Sequence, residues 1–389
     1  MGIKLGDICT FQSGGTPAKG NPEYFKGTIP WITTTALNGG IICAENAVDW
    51  ITEKAITKSA AKIVPAFSIM IGTRVGVGKV AINAVDMSTS QDIISLLAID
   101  TSVWSKEFIC KFLQAKSIFL NSQARGATIK GITIDVLSGL ELPEIPLTEQ
   151  IHILQIIDRA KTIISAREQE LQKLDELVKA RFVEMFGDMY LNTMEWRELH
   201  LETMADIVSG ITKGRKIAGK QLTKVPYMAV SNVKDGYIDW TTVKTIEATD
   251  QEINQYRLLP DDVLMTEGGD PDKLGRGAII RTPLENCIHQ NHIFRVRLDE
   301  SHILPDYFAE YLKHQRAKRY FLGCAKQTTG IASINMKQLK ALPVLLPPLE
   351  LQNEFSAFIK QTDKSKAAVQ QALDKAQLLF DSLMQEYFG

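Results

Sequence analysis

Cysteine is scarce in this chain of 389 residues, and the five present, Cys9, Cys43, Cys110, Cys287 and Cys324, include no CxxC pair. That spacing excludes a zinc ribbon and argues against a disulfide framework; it suits free, mostly buried thiols in a reducing compartment. Long apolar runs are missing as well. No segment is long and apolar enough to span a bilayer, and Met1 to Thr10 carries no cleavable signal pattern, so the expectation is a cytoplasmic chain with no membrane partner. Charge of one sign is also absent: 44 Lys and Arg stand against 45 Asp and Glu, for a net charge of -1. Any nucleic-acid binding must therefore come from local basic patches.

Several catalytic signatures are lacking too. No Asp-x-Lys or Glu-x-Lys triplet occurs, which removes the usual carboxylate and lysine kit of a metal-dependent nuclease. Gly76 and Gly78 form a lone Gly-x-Gly without a third glycine or a P-loop Lys-Ser/Thr, so nucleotide binding is not indicated. Asn21-Pro22-Glu23-Tyr24 is one residue away from the Asn-Pro-Pro-Tyr motif of amino-methyltransferases. Glutamate replaces the second proline and no strand with a glycine-rich turn precedes it to hold S-adenosylmethionine, so the motif is rejected. Cys287, His289 and His292 resemble part of a metal site, but a fourth ligand is not evident and none is assigned. The expectation is a protein with no catalytic residue and no metal.

What the chain does contain is one plan written twice. Leu5, Ser13-Gly14, Ile29-Pro30-Trp31-Ile32, Pro65 before Ile69-Met70, Leu142-Pro143 and Phe186-Gly187 recur in order as Leu201, Ser209-Gly210, Val225-Pro226-Tyr227-Met228, Pro260 before Leu264-Met265, Leu342-Pro343 and Phe388-Gly389. The offset drifts only from roughly 195 to 202, as a duplication with small loop changes would give. Between these stations lie short β-branched runs such as Ala278 to Arg281 and His292 to Leu298, and helical stretches near Phe108 to Leu120 and Asp306 to Phe321. Strand and helix do not alternate regularly, which predicts an α+β fold rather than a doubly wound sheet.

Glycine and proline vanish from Glu149 to Phe186 and again from Leu351 to Phe388. In the first stretch Ile157, Ala160, Ile164, Leu171, Leu174, Val178 and Met185 recur at spacings of three and four; in the second Ile359, Thr362, Val369, Leu373, Ala376, Phe380, Leu383 and Tyr387 do so. Arg167 and Arg181 interrupt the first seam and Lys366 the second. Each seam predicts a helix about 57 Å long exporting an apolar stripe, and the duplicated plan predicts that the two pair as an antiparallel coiled coil with a pseudo-twofold axis. Helices alone would equally suit a coiled-coil interaction scaffold.

Base reading needs Arg or Lys for guanine and Asn or Gln for adenine, while phosphates need cations and free amides. In the first half Arg74 to Lys79 forms a glycine-bearing basic loop, and Gln123, Arg125, Thr128 and Lys130 form another within a stretch free of acidic residues from 108 to 134. The second half offers Lys213, Arg215 and Lys216, then Lys273 and Arg276, then His289, Gln290 and Asn291, and finally Lys326, Gln327 and Thr328. For each the plain alternative is a solvated loop. The run Lys313, His314, Arg316, Lys318 and Arg319 fits either a helix face that tracks a phosphate strand or a solvated helix surface, with the second slightly favoured.

The order of domain, long helix, domain, long helix resembles the specificity subunit of Type I restriction-modification systems along essentially the whole chain. Leu5-Gly6-Asp7-Ile8, Ser13 to Pro17, Pro22 to Phe25 and Pro146 to Gln150 are similar to that family's recognition-domain borders, and Gly268 to Gly277 followed by His289 to His292 resembles another branch of it. The resemblance implies target-recognition domains at 1–148 and 188–350, with a central helix at 149–187 and a distal helix at 351–389. It also implies a non-catalytic reader of double-stranded DNA with an asymmetric bipartite site. It would bind no cofactor itself and would direct two methyltransferase subunits, which use S-adenosylmethionine on adenine, and two restriction subunits, which use ATP and Mg.

Overall fold

The computed structural model describes residues 2–125, 131–216, 219, 221–270, 274–328 and 331–389. It divides into two compact units, one of Met1–Glu168 with Gln371–Gly389, the other of Gln169–Gln370. The fold is α+β, and each unit combines a β-rich domain with half of each long helix. Those helices are Leu147–Phe186 (the central helix) and Leu349–Phe388 (the distal helix).

The first unit holds a sheet ordered Thr10–Ser13, Ile93–Leu97, Ile69–Gly72, Val80–Asn83 and Ile41–Ile42. A second sheet runs Asp49–Ile51, Phe25–Ile32, Met87–Thr89, Ile63–Val64. In the second unit the strands Ala205–Ser209, Ile293–Leu298, Asp262–Thr266 and Gly277–Ile280 repeat the first four strands of the larger sheet in the same order. A short antiparallel pair closes each domain at its foot, Gly2–Lys4 on Glu141–Pro143 and Arg197–His200 on Pro343–Leu346. The duplication read in the sequence is thus a duplication of strand order. The two helical stretches each break once: Lys106–Ala115 and Ser117–Gln123 in one domain, Pro305–Lys313 and Gln315–Cys324 in the other, where His314 adopts extended backbone at ψ 154°.

The same side chain seats each long helix on the domain before it. Gln150 is fully buried; its Nε2 donates to the carbonyls of Val103 and Ile145, both at 3.0 Å, and its Oε1 accepts from Ser105 N at 2.9 Å. Gln352 repeats this with His302 O at 3.2 Å, Pro347 O at 2.9 Å and Leu304 N at 2.8 Å. A buried carboxamide with its donors and acceptor engaged fixes the helix start to the turn ahead of the domain's own helix.

Within the first unit Ile153 and Ile157 of the central helix share a core with Phe380, Met384 and Phe388 of the distal helix. In the second unit Val178, Phe182 and Phe186 pack with Phe355 and Ile359. Early residues of one helix meet late residues of the other, so the helices run antiparallel within each unit. Ile164, Leu171, Leu174, Val369, Leu373 and Leu383 are all half-buried or buried, whereas Leu378 and Leu379, off the seam, are 69% and 55% exposed. The structure moves one seam position: Phe182, fully buried, stands where the heptad count put Arg181, because the 3.6-residue turn drifts from a seven-residue repeat. Its ring meets Phe186, Tyr307 and Phe355 at 4.9, 5.6 and 5.4 Å. Lys366, the other interruption, forms an ion pair with Asp175 at 2.6 Å.

Candidate nucleic-acid interface

In the first domain the loop Arg74 to Lys79 closes through Gly72 N to Lys79 O at 2.8 Å and Gly78 N to Gly72 O at 3.0 Å. Gly76 and Gly78 take φ of +68° and +81°, the left-handed region that only glycine enters without strain. Arg74 and Lys79 project to solvent from this frame. The second basic loop lies against the first. Ile132 N donates to Thr73 O at 2.8 Å, and Arg125 and Gly131 exchange backbone bonds at 2.9 Å, which brings exposed Arg125 beside Arg74. Gln123 is half-buried at the end of its helix, while Thr128 and Lys130 lie outside the described residues. Arg74 faces Asp92 at 3.9 Å.

The second domain gathers its candidates around Glu267. Its backbone N donates to His292 O at 3.0 Å and its carbonyl accepts from Ile334 N at 2.8 Å. Next to it Gly268–Gly269 pairs with Ile331–Ser333, which pairs with Lys326–Thr328, so Lys326, Gln327 and Thr328 share one small sheet with the glycine loop. Asn291 N donates to Ile211 O at 3.1 Å, tying the turn at 290–292 to the loop that carries exposed Lys213 and Lys216. Lys213 Nζ lies 5.2 Å above the Tyr227 ring. Arg276 is half-buried, and Lys273 lies outside the described residues.

Two sequence candidates, His289 and Arg215, are placed differently from the sequence reading. His289 is fully buried, its Nδ1 3.0 Å from Tyr256 O and its Nε2 3.3 Å from Val208 O, and burial pushes its pKa down to about 4. It is a neutral core residue with no face for DNA. Arg215 turns inward: Nε donates to Glu252 Oε1 at 2.5 Å and a terminal nitrogen to Glu247 O at 2.7 Å, and its hydrogen bond holds the Glu252 carboxyl down at about 2. Gln290 is half-buried: its Oε1 accepts from Val230 N at 3.4 Å, while its Nε2 has no bond among the described residues. Asn21 caps the short helix Pro22–Tyr24 through Glu23 N at 3.1 Å, a structural use of the apparent methyltransferase motif. Arg316 bonds to the carbonyls of Met189 and Tyr190 and pairs with Glu198, and Arg319 stacks 4.3 Å from the Tyr190 ring. Two of the cations read as a solvated face therefore hold the segment after the central helix.

Sequence reading overlooked Gln91 and Glu267. Gln91 is exposed on the turn ahead of Ile93–Leu97, and the repeat frame carried back from Asn291 would have found it. Glu267 had no such signal, since its partner His292 lies 25 residues away.

Residues 1–176 and again 194–377 match the family model described as the Type I restriction modification DNA specificity domain. The chain is 24% identical over 304 residues to the Type I restriction enzyme EcoKI specificity subunit of Escherichia coli K12, covering 72% of this chain and 64% of that protein. A putative MjaX specificity subunit of Methanocaldococcus jannaschii is 26% identical over 196 residues, 50% of this chain and 45% of that one. The matches thus span less than two thirds of those two relatives. The MjaIX specificity subunit of the same organism is 21% identical, with 92% and 85% covered. Among solved structures, the S subunit of a Type I system from M. genitalium superposes with a TM-score of 0.54 at 15% identity, covering 100% of this chain and 96% of the other. A chain from a study of complex assembly in the Type I system reaches 0.67 at 17%, covering 100% and 97%.

Proposed function

Because the chain belongs to the Type I restriction modification DNA specificity family, we propose that it is the subunit that reads DNA sequence for a restriction-modification complex. The observation that carries this reading is its doubleness. The family model matches twice, and each matched stretch folds into a sheet that shares one order over four strands and carries a glycine-bearing basic loop. The readers would be 1–148 and 188–350, and the helices 149–187 and 351–389 would hold them. Arg74, Lys79 and Arg125 in one domain, and Lys213, Lys216 and Lys326 in the other, supply cations for phosphates and guanine edges. The loops differ between the domains, so the two half-sites differ and the whole site is asymmetric.

The chain would carry no catalytic step and no cofactor. Methylation of adenine falls to two modification subunits holding S-adenosylmethionine, and cleavage to two restriction subunits using ATP and Mg, all in the cytoplasm. Among the described residues no helix is long and apolar enough to cross a membrane. Exposed Leu378 and Leu379 on the distal helix offer apolar surface to such a partner.

Co-expression with the cognate modification subunit, followed by mapping of methyladenine across a genome, tests the reading. One split motif with a fixed gap, absent without this chain and altered in one half when one domain is exchanged, is the expected result. Methylation that is identical without the chain would refute it and favour a coiled-coil scaffold.

A further inference from the structure

We propose that Gln91 and Asn291 are matched adenine-reading residues, one for each half of the recognised site. This rests on the DNA-reading role proposed above and adds to it the residue and the base.

The two side chains occupy the same position of the same turn. Ser90 N donates to Ile32 O at 2.9 Å and Ile93 N to Ser90 O at 3.1 Å; Gln290 N donates to Met228 O at 3.0 Å and Ile293 N to Gln290 O at 2.9 Å. The residue before each turn is held through its carbonyl, Thr89 O by Gly15 N and His289 O by Ile211 N, both at 2.8 Å. Thr89, His289, Ile93 and Ile293 are all buried, so a rigid turn anchored at both ends presents the residue between them. In both domains that residue is a carboxamide, although its neighbours differ: Ser90 and Asp92 in one, Gln290 and His292 in the other.

A carboxamide offers a donor and an acceptor side by side, which is the complement of the N7 acceptor and N6 donor on adenine's major-groove edge. Gln91 is exposed and makes no side-chain hydrogen bond among the described residues, so both groups are free. The Asn291 amide is oriented instead. In the neutral ring the Glu267 carboxylate, 2.6 Å from His292 Nδ1 and able only to accept, keeps the proton on that nitrogen and leaves Nε2 a lone pair. Asn291 Nδ2 lies 3.4 Å from Nε2 and donates one hydrogen there, leaving its Oδ1 and second N–H for a base. Each carboxamide is flanked by the cations that phosphates require. Arg74 reaches Asp92 next to Gln91, and Ile211, which binds Asn291 through the backbone, lies two residues from Lys213.

The test uses the full chain in its modification complex, with methylation mapped genome-wide for wild type, Gln91→Ala, Gln91→Glu, Asn291→Ala and Glu267→Gln. Gln91→Ala should lower discrimination at one adenine-bearing position of one half-site by on the order of 10- to 100-fold and leave the other half unchanged. Asn291→Ala should do the same in the opposite half. Gln91→Glu, which keeps acceptors and loses the donor, should shift that position towards cytosine. Glu267→Gln should weaken only the half affected by Asn291→Ala. An unaltered motif in Gln91→Ala and Asn291→Ala overturns the proposal, as does relaxation at a position that is not adenine. Loss of all methylation in both Gln91 variants, in protein that still co-purifies with its partner, would assign the turn a structural role and also overturn it. Failure of the wild-type chain to direct any motif is a different result, which refutes the DNA-reading function itself.

Discussion

Acidification should destabilise the second unit through one buried imidazole. His289 has both ring nitrogens against carbonyls, yet burial dominates and pushes its pKa from 6.5 to about 4. Between pH 6.5 and 4 the unfolded chain therefore holds a proton that the folded chain refuses, and stability falls as pH falls through that window. Linkage with these two values gives a loss of about 2 kcal/mol on going from pH 7.5 to 5. His314, pushed down by burial, adds loss of the same sign, whereas Glu252, held at about 2, contributes only below its ordinary range near 4.5. The comparison that isolates His289 is urea unfolding of wild type and His289→Gln at pH 7.5, 6.5, 5.5 and 5. A glutamine does not titrate and can still donate to one of the two carbonyls. The variant should be less stable at pH 7.5 by about 1 to 2 kcal/mol, as expected for a lost buried hydrogen bond, and the gap should close or reverse by pH 5. Parallel pH profiles would refute the assignment, because they would mean that the imidazole is protonated equally in both states.

Replacing Gln352 by Leu should cost about 2 to 4 kcal/mol in urea unfolding, since Leu304 N and the His302 and Pro347 carbonyls lose their partner; Gln150→Leu should cost as much through Ser105, Val103 and Ile145. Lys161 is pushed down to about 8 by burial and by Lys111 beside it, so Lys161→Met should stabilise the first unit at pH 7. That advantage should shrink between pH 8 and 10.5, where the wild type gains stability as its folded form is already deprotonated; thermal melting across this range checks it. Arg215→Met should cost about 1 to 3 kcal/mol of stability by releasing Glu252, yet change the salt slope of DNA affinity by less than one phosphate contact, as titrations at several salt concentrations would read.

The long helices were legible because their evidence is local. Forty residues without glycine or proline, and apolar residues every three or four, need no knowledge of the rest of the chain, and Gly187 at φ +75° marks the end of the first as the sequence suggested. Strand order was not legible, since Thr10–Ser13 pairs with Ile93–Leu97 across some 80 residues and nothing in either segment names its partner. The basic loops were legible as composition, but composition does not say which cations are free. Arg215 and Arg316 look like solvated charges until Glu252, Glu247 and the Met189 and Tyr190 carbonyls, far off in sequence, are brought to them by the fold. His289 fails for the same reason in reverse: beside half-buried Asn291 and exposed His292 it reads as part of a polar loop, while the strand Ile288–His289 carries it into the interior.

Internal repetition sorts these residues more sharply than composition does. Two domains of one plan share the demands of the fold, so positions that serve the fold should match, and Gln150 with Gln352 do so in identity and in all three bonds. Positions free of shared demands should drift. Lys111, on the helix Lys106–Ala115, and Lys161 sit together in the first unit, where the second unit's matching positions put Glu310 and Asp363 in one cavity with Asp175, Asp235 and Lys366. At these two matched positions lysine in one unit stands against a carboxylate in the other, and Glu310 is paired there with Lys313 at 2.7 Å. The carboxamide at the turn falls into neither class. It is kept in both domains, yet Gln91 bonds to nothing among the described residues and so serves no demand of the fold. Asn291 keeps one bond, to His292 Nε2, so each carboxamide has bonding groups that the fold leaves unused, and their complement on a DNA duplex is the edge of adenine.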